Sequence, residues 1–126
     1  MQRRPFIRTL ATAALLGSLA TGAFAQAYPA QTVKFIIPFP PGGTLDTVGR
    51  MLAQKLSEQM WQTFIVENKA GASGTIGANA VAKATADGYT LLFNASTFTT
   101  APMTLKSVPY AVGKDFMPVA LVAKAP

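Results

Sequence analysis

Beyond a leading stretch of about 25 residues, apolar and polar positions fall into alternating strand-like and helix-like blocks. Residues 32–39 are almost continuously apolar, β-branched or aromatic, the pattern of a strand buried on both faces. Pro38 and the Pro40-Pro41 pair end that run, because proline cannot donate to a sheet ladder. From Thr44 to about Met60 the apolar positions Leu45, Val48, Leu52 and Leu56 recur along one helical stripe. Gly49 within that helix costs about 1 kcal/mol relative to alanine, so its presence predicts a close backbone approach. Residues 61–67 predict a second short strand centred on Phe64, Ile65 and Val66. A glycine-rich stretch over residues 68–77 then opens a second helix, about residues 73–84, with Ile76, Ala80 and Ala84 on one face. Asp87-Gly88 signals a turn, and residues 89–93 read as a third, continuously apolar strand. A polar loop covers residues 94–97, residues 99–112 fit neither period, and residues 117–123 read as a fourth strand. No internal repeat or low-complexity tract follows the leading stretch.

The order β-α-β-α-β predicts an α/β fold with a parallel sheet and right-handed crossovers. Ligands of open parallel sheets bind outside the carboxyl ends of the strands. Three loops are expected at that position, residues 40–44, 70–74 and 94–97. Each carries glycine or hydroxyl residues, and the first two lead into helices whose leading N–H groups have no partner inside the helix. Converging amides of that kind can hold a carboxylate without a charged side chain. Any one of these loops alone reads as an ordinary turn in which glycine serves backbone geometry; the three together point to a small-anion site. Thr44 is expected to be an N-cap. Asp46 is expected to be structural, complementing the helix dipole in the first turn. Ser73 reads equally as a cap or as a group facing ligand.

Composition narrows the chemistry. The 126-residue chain has eleven Lys and Arg against five Asp and Glu, but Arg3, Arg4 and Arg8 belong to the leading stretch. Those arginines precede an apolar run over residues 10–23 and the small-residue pattern Ala23-Phe24-Ala25, which together read as a cleaved export signal over residues 1–25. The run is too short to span a bilayer, which takes roughly 20 apolar residues. Arg3-Arg4-Pro5-Phe6-Ile7-Arg8 also resembles a twin-arginine motif. From residue 26 onward eight basic and five acidic residues leave a net charge of +3, and the cations are scattered singly. Nucleic-acid binding, which calls for clustered cations with interleaved aromatics, is not expected.

Cysteine and histidine are both absent. That rules out a disulfide, thiol chemistry, a Cys/His zinc site and a Ser–His dyad within these residues. The spacing Gly71-Ala72-Ser73-Gly74-Thr75-Ile76-Gly77 is not the dinucleotide fingerprint, and neither glycine loop carries the lysine of a phosphate-binding loop. No cofactor and no metal are expected.

The string Val33-Lys-Phe-Ile-Ile-Pro-Phe-Pro-Pro-Gly-Gly-Thr-Leu-Asp46 resembles the opening of the Bug (TctC-like) family, the extracytoplasmic solute receptors of tripartite tricarboxylate transporters. The likeness continues through Val66-Glu-Asn-Lys-Ala-Gly71, Gly74-Thr-Ile-Gly-Ala78, Ala86-Asp-Gly-Tyr-Thr-Leu-Leu92 and Lys114-Asp-Phe-Met-Pro-Val-Ala-Leu-Val122. The resemblance implies a periplasmic-binding-protein-like, type II Venus-flytrap fold, of which residues 26–126 would form the N-terminal portion of the first lobe. It implies that Phe39, Pro41, Gly42, Gly43 and Thr44 help hold a ligand carboxylate, with Ala72, Ser73, Gly74, Ser96 and Thr97 lining the same cleft. Two departures touch that cleft: Lys69-Ala70 stands where the family commonly has Arg and Pro, and Ser73 where it commonly has glycine.

The resulting expectation is a periplasmic, monomeric receptor, not an enzyme, that captures a small carboxylate and hands it to membrane permease subunits. The apolar run at residues 116–123 ends the chain where a strand is leading onward, so a truncated chain is expected. Two alternatives stand beside this reading. One is an extracytoplasmic enzyme whose catalytic groups lie in a missing C-terminal part, and the other is a non-functional fragment.

Overall fold

The computed structural model describes residues 27–124; the export signal expected at residues 1–25 lies outside them. The strands are β1 (Val33–Ile37), β2 (Phe64–Asn68) and β3 (Thr90–Leu92). The helices are α1 (Thr44–Met60), α2 (Thr75–Ala82), α3 (Thr97–Thr104) and α4 (Val112–Asp115), and a single 3-10-type turn over Ala72–Gly74 precedes α2. The three strands form one parallel sheet in the order β2-β1-β3. Val33 pairs with Phe64 and Ile37 with Asn68, while Phe35 pairs with Leu91. Being central, β1 is buried along almost its whole length, as its apolar run predicts.

Val33, Phe35, Ala53 and Phe64 form the main core cluster, with Leu52, Leu56, Val66, Tyr89, Leu91 and Phe93 packed against it. The line of α1 that is fully buried runs through Asp46, Gly49 and Ala53, and the leucine stripe flanks it. A Cβ on Gly49 would come within 2.6 Å of the Ile37 Cδ1 and 3.2 Å of the Phe93 ring. The close approach expected of that glycine is therefore present, between α1 and the sheet.

Several expectations are corrected. The second strand starts at Phe64 rather than at 61, because Trp61 closes α1 in a left-handed conformation (φ 54°). Helix α2 starts at Thr75, after the turn, and turns Thr75, Gly77 and Ala78 inward. Ile76, expected on the packed face, is 53% exposed. The reason is steric: Gly77 lets the helix lie against Pro38, which rotates Ile76 outward. Residues 97–104 form α3, with Pro102 inside it, so the helix takes in the end of the expected polar loop and the start of the span 99–112 that fitted neither period. Residues 117–123 do not form a fourth strand: no ladder bonds reach them, and Met117, Val119 and Leu121 are exposed. Strand propensity alone does not hold a strand without a ladder partner. The chain before them is instead tied down by aromatic packing among Phe98, Tyr110 and Phe116, with ring centroids 4.8–5.7 Å apart.

Candidate functional site

Because all three strands are parallel, the loops after β1, β2 and β3 leave the same end of the sheet. The loop after β1 starts at Pro38, which is fully buried, and turns through Gly42 (φ 87°). Gly43, in extended conformation, is the N-cap of α1 and makes no side-chain cap bond. This corrects the expectation for Thr44, which is the first helical residue. The first intrahelical bond from this end is Thr47 N–H to the Gly43 carbonyl at 3.0 Å, and the Thr47 hydroxyl donates to the same oxygen. The amides of Thr44, Leu45 and Asp46 thus precede the hydrogen-bonded ladder. Pro41, Gly42, Gly43 and Thr44 are exposed, and Phe39 is half-buried.

After β2 the chain passes through Gly71, Ala72, Ser73 and Gly74 with φ of 133°, 45°, 55° and 88°, all in the left-handed half of conformational space. The Gly74 N–H closes this turn on the Gly71 carbonyl at 2.9 Å, and the Thr75 hydroxyl donates to the Ala72 carbonyl. Ala72 and Ser73 are exposed at its crest. Gly74 lies beneath them, where a Cβ would stand 3.4 Å from the Pro38 Cβ and 3.6 Å from the Phe39 ring. The first two loops therefore pack on each other, and Gly74 serves that packing. Ser73 caps nothing: Gly74 is the residue ahead of α2.

The third loop leads into α3, which packs against the 72–74 turn and α2. Ser96 is its N-cap residue, and its carbonyl accepts from the amides of Thr99 and Thr100. Ser96 and Thr97 are both exposed. The structure thus brings the three expected loops to one end of the sheet, with the exposed glycines and hydroxyls on their crests.

The polar network behind the first loop was legible only in part. Asp46 is 4% exposed. Its Oδ2 accepts from the Gly42 N–H at 2.9 Å and from Arg50 Nε at 3.0 Å, and its Oδ1 accepts from Asn68 Nδ2 at 2.9 Å. Asn68 Nδ2 also donates to the Phe39 carbonyl at 3.1 Å, and Arg50 Nη2 donates to Asn68 Oδ1 at 2.9 Å. The Arg50 hydrogen bond holds the Asp46 carboxyl well below the usual carboxylate range. The Gly42 amide and Asn68 push the same way, against a smaller effect of burial. Asp46 does stand in the first turn of α1, as expected, but it also joins the loop, the helix and the end of β2. Arg50 and Asn68 were missed. The i,i+4 spacing of Asp46 and Arg50 was a readable signal, whereas Asn68 reaches them only through the pairing of β2 with β1.

An open depression of about 430 Å³, lined by Arg50, Ala53, Gln54, Phe64, Ile65 and Val66, lies between α1 and β2. It includes none of the crest residues. The loop end of the sheet is the better candidate, because amides and hydroxyls are presented there.

Comparison with known proteins agrees with this fold. Residues 48–126 match the tripartite tricarboxylate transporter family receptor. The chain is 44% identical over 107 residues to the protein BugT of Bordetella pertussis, covering 81% of this chain and 32% of the relative. Among solved structures it is similar to a Rhodopseudomonas palustris protein with bound malate, at 35% identity and a TM-score of 0.64, covering 75% of this chain and 32% of the other. A second R. palustris protein, solved with adipate, is 36% identical with a TM-score of 0.66, over 68% of this chain and 29% of the other. The chain spans about a third of the length of the curated relatives it matches. The parallel α/β core, the sequence match and the likeness to these structures agree, and the chain belongs to the tripartite tricarboxylate transporter receptor family.

Proposed function

We propose that this chain supplies the carboxylate-binding loops of a periplasmic solute receptor that delivers a small carboxylate to the permease subunits of a tripartite transporter. The observation that carries this reading is the convergence of three loops at one end of the parallel sheet, the first of them presenting unladdered amides at the start of a 17-residue helix. An anion is favoured there by the helix dipole and by direct N–H donation. The adipate and malate bound to two similar proteins are small carboxylates of the class such amides recognise. Phe39, Pro41, Gly42, Gly43 and Thr44 would form the anchoring loop, with Ala72, Ser73, Ser96 and Thr97 along its rim and Gly74 supporting from below. The mature receptor would begin after an export signal at residues 1–25 and bind as a monomer, by fixed dipoles and without a cofactor. Its role is capture, not catalysis.

The test is a thermal-shift screen of the chain with malate, adipate, tricarboxylates and amino acids. A ligand at 100 times its Kd adds about 2.7 kcal/mol of stability, a clear shift in melting temperature. With nucleotides and short peptides included in the same screen, a response to carboxylates supports the receptor, and a response to nucleotides or peptides alone overturns it.

A further inference from the structure

Resting on the reading above, we propose that Asp46 is a positioning residue that clamps the anchoring loop from behind, and that Arg50 cancels its charge so that it does not repel the bound carboxylate. Both ends of the loop are tied to one network centred on the buried Asp46. The Gly42 N–H is held by Asp46 directly, and the Phe39 carbonyl is held by Asn68, whose side chain is itself fixed by Asp46 and Arg50. Apart from these bonds, the one side-chain hydrogen bond to residues 39–43 among the described residues is that of the Thr47 hydroxyl to the Gly43 carbonyl, at the helix end of the loop.

The arrangement answers an electrostatic difficulty. A carboxylate in the first turn of α1 lies close to the amides expected to receive an anion, and alone it would oppose binding. Arg50 Nε bonds to Asp46 at 3.0 Å, so the pair carries no net charge. Arg50 is half exposed and points its second nitrogen at Asn68, not at the loop crest. The network therefore gives the loop its shape and leaves the remaining amides to the ligand. The two charged residues divide the work: Asp46 fixes the loop directly at Gly42, and Arg50 removes a repulsion while steadying Asn68.

The experiment compares wild type, Asp46→Ala, Arg50→Gln and a control, Leu56→Ala, which trims the core farther along the same helix. Two quantities are read on the 126-residue chain: amide hydrogen exchange at Gly42 without ligand, and the affinity for malate from amide-shift titration. Asp46→Ala is expected to speed Gly42 exchange and weaken malate binding, each by about tenfold or more beyond the control, since a charge-assisted bond is lost. Arg50→Gln is expected to leave Gly42 protected but weaken malate in a manner that high salt reduces. If Asp46→Ala matches Leu56→Ala in both quantities, the clamp is overturned; if the Arg50→Gln loss is insensitive to salt, the charge-cancelling role is overturned. Should Asp46→Ala fail to fold, Asn68→Ala releases the Phe39 tether together with the Asn68 bonds to Asp46 and Arg50, and is read in the same two ways. A wild-type chain that ignores malate and adipate would count against the receptor reading, while Gly42 exchange would still decide whether Asp46 holds the loop.

Discussion

Gly77 lies so close to Pro38 that a Cβ on it would stand 2.8 Å from the Pro38 Cβ and 2.9 Å from both the Pro38 Cα and the Lys69 carbonyl. Two of those three atoms are backbone and cannot yield by rotating a side chain. The contact seats α2 on the end of β1, directly beneath the first loop. Gly77→Ala is therefore expected to destabilise the fold by about 1–3 kcal/mol, the usual cost of overpacking. Chemical denaturation of the two proteins checks this, and an unchanged midpoint would show that the helix can ride outward at no cost.

Asp46 gives the fold a dependence on acid. Its carboxyl is held below the ordinary range by Arg50, Gly42 and Asn68, whereas in the unfolded chain it titrates near the ordinary value of about 3.9. A depressed folded pKa means stability that is fully present above the unfolded value and is lost as pH falls through the folded one. Wild type should thus lose stability steeply below about pH 4, and Asp46→Asn, which cannot titrate, should start lower but fall less steeply over the same range. Parallel stability curves for the two proteins would show that Asp46 is not the group responsible.

Much of the fold was legible because its signals are local. The run at residues 33–37, the stripe of α1 and the turn at Asp87-Gly88 each depend on neighbours in sequence, and their order already implies a parallel sheet. The misreadings share one cause, which is that tertiary contact overrode local pattern. Ile76 looked like a core residue until Gly77 fixed the rotation of α2 on Pro38. Residues 117–123 have strand composition but no ladder partner among the described residues. At the site, the three loops followed from topology, while the Asp46–Arg50–Asn68 network required the register that sets Asn68 beside Ile37.

Trp61 ends α1 at φ 54° and is 91% exposed, so it occupies a position that favours glycine while burying almost nothing in return. Trp61→Gly should stabilise the chain by about 0.5–1 kcal/mol, the left-handed penalty less the added freedom of glycine when unfolded. Thermal melting decides the matter. A lower melting temperature would reveal that the indole makes a contact worth more than its backbone strain.

The turn over residues 71–74 offers a sharper test of strain, since Ala72 and Ser73 are consecutive non-glycine residues with positive φ. For Ser73→Gly the relief of the left-handed residue, about 1–2 kcal/mol, is partly offset by unfolded-state entropy, leaving a neutral or stabilising change. Ser73→Val adds a β-branched side chain at the same φ and should cost at least about 1 kcal/mol. If valine and glycine prove equal in denaturant melts, the turn relaxes out of this conformation in solution.

Gly43 separates binding from folding better than any other residue of the first loop. Its φ of −76° is open to every residue type, and a Cβ there would meet only the Pro40 carbonyl, at an ordinary 3.8 Å. Gly42 offers no such freedom, because its φ of 87° would strain any side chain whatever the space around it. Gly43→Val should therefore melt within a few degrees of wild type, yet its new side chain would stand at the mouth of the α1 amides and displace an anion seated there. The expected result is loss of the carboxylate-induced thermal shift, a change of about 2.7 kcal/mol at a ligand concentration of 100 times Kd, with little change in the unliganded melt. Retention of the full shift would move the ligand away from this loop, and loss of the fold would mean that Gly43 is needed for structure. Only a stable, unresponsive variant places the carboxylate at the start of α1.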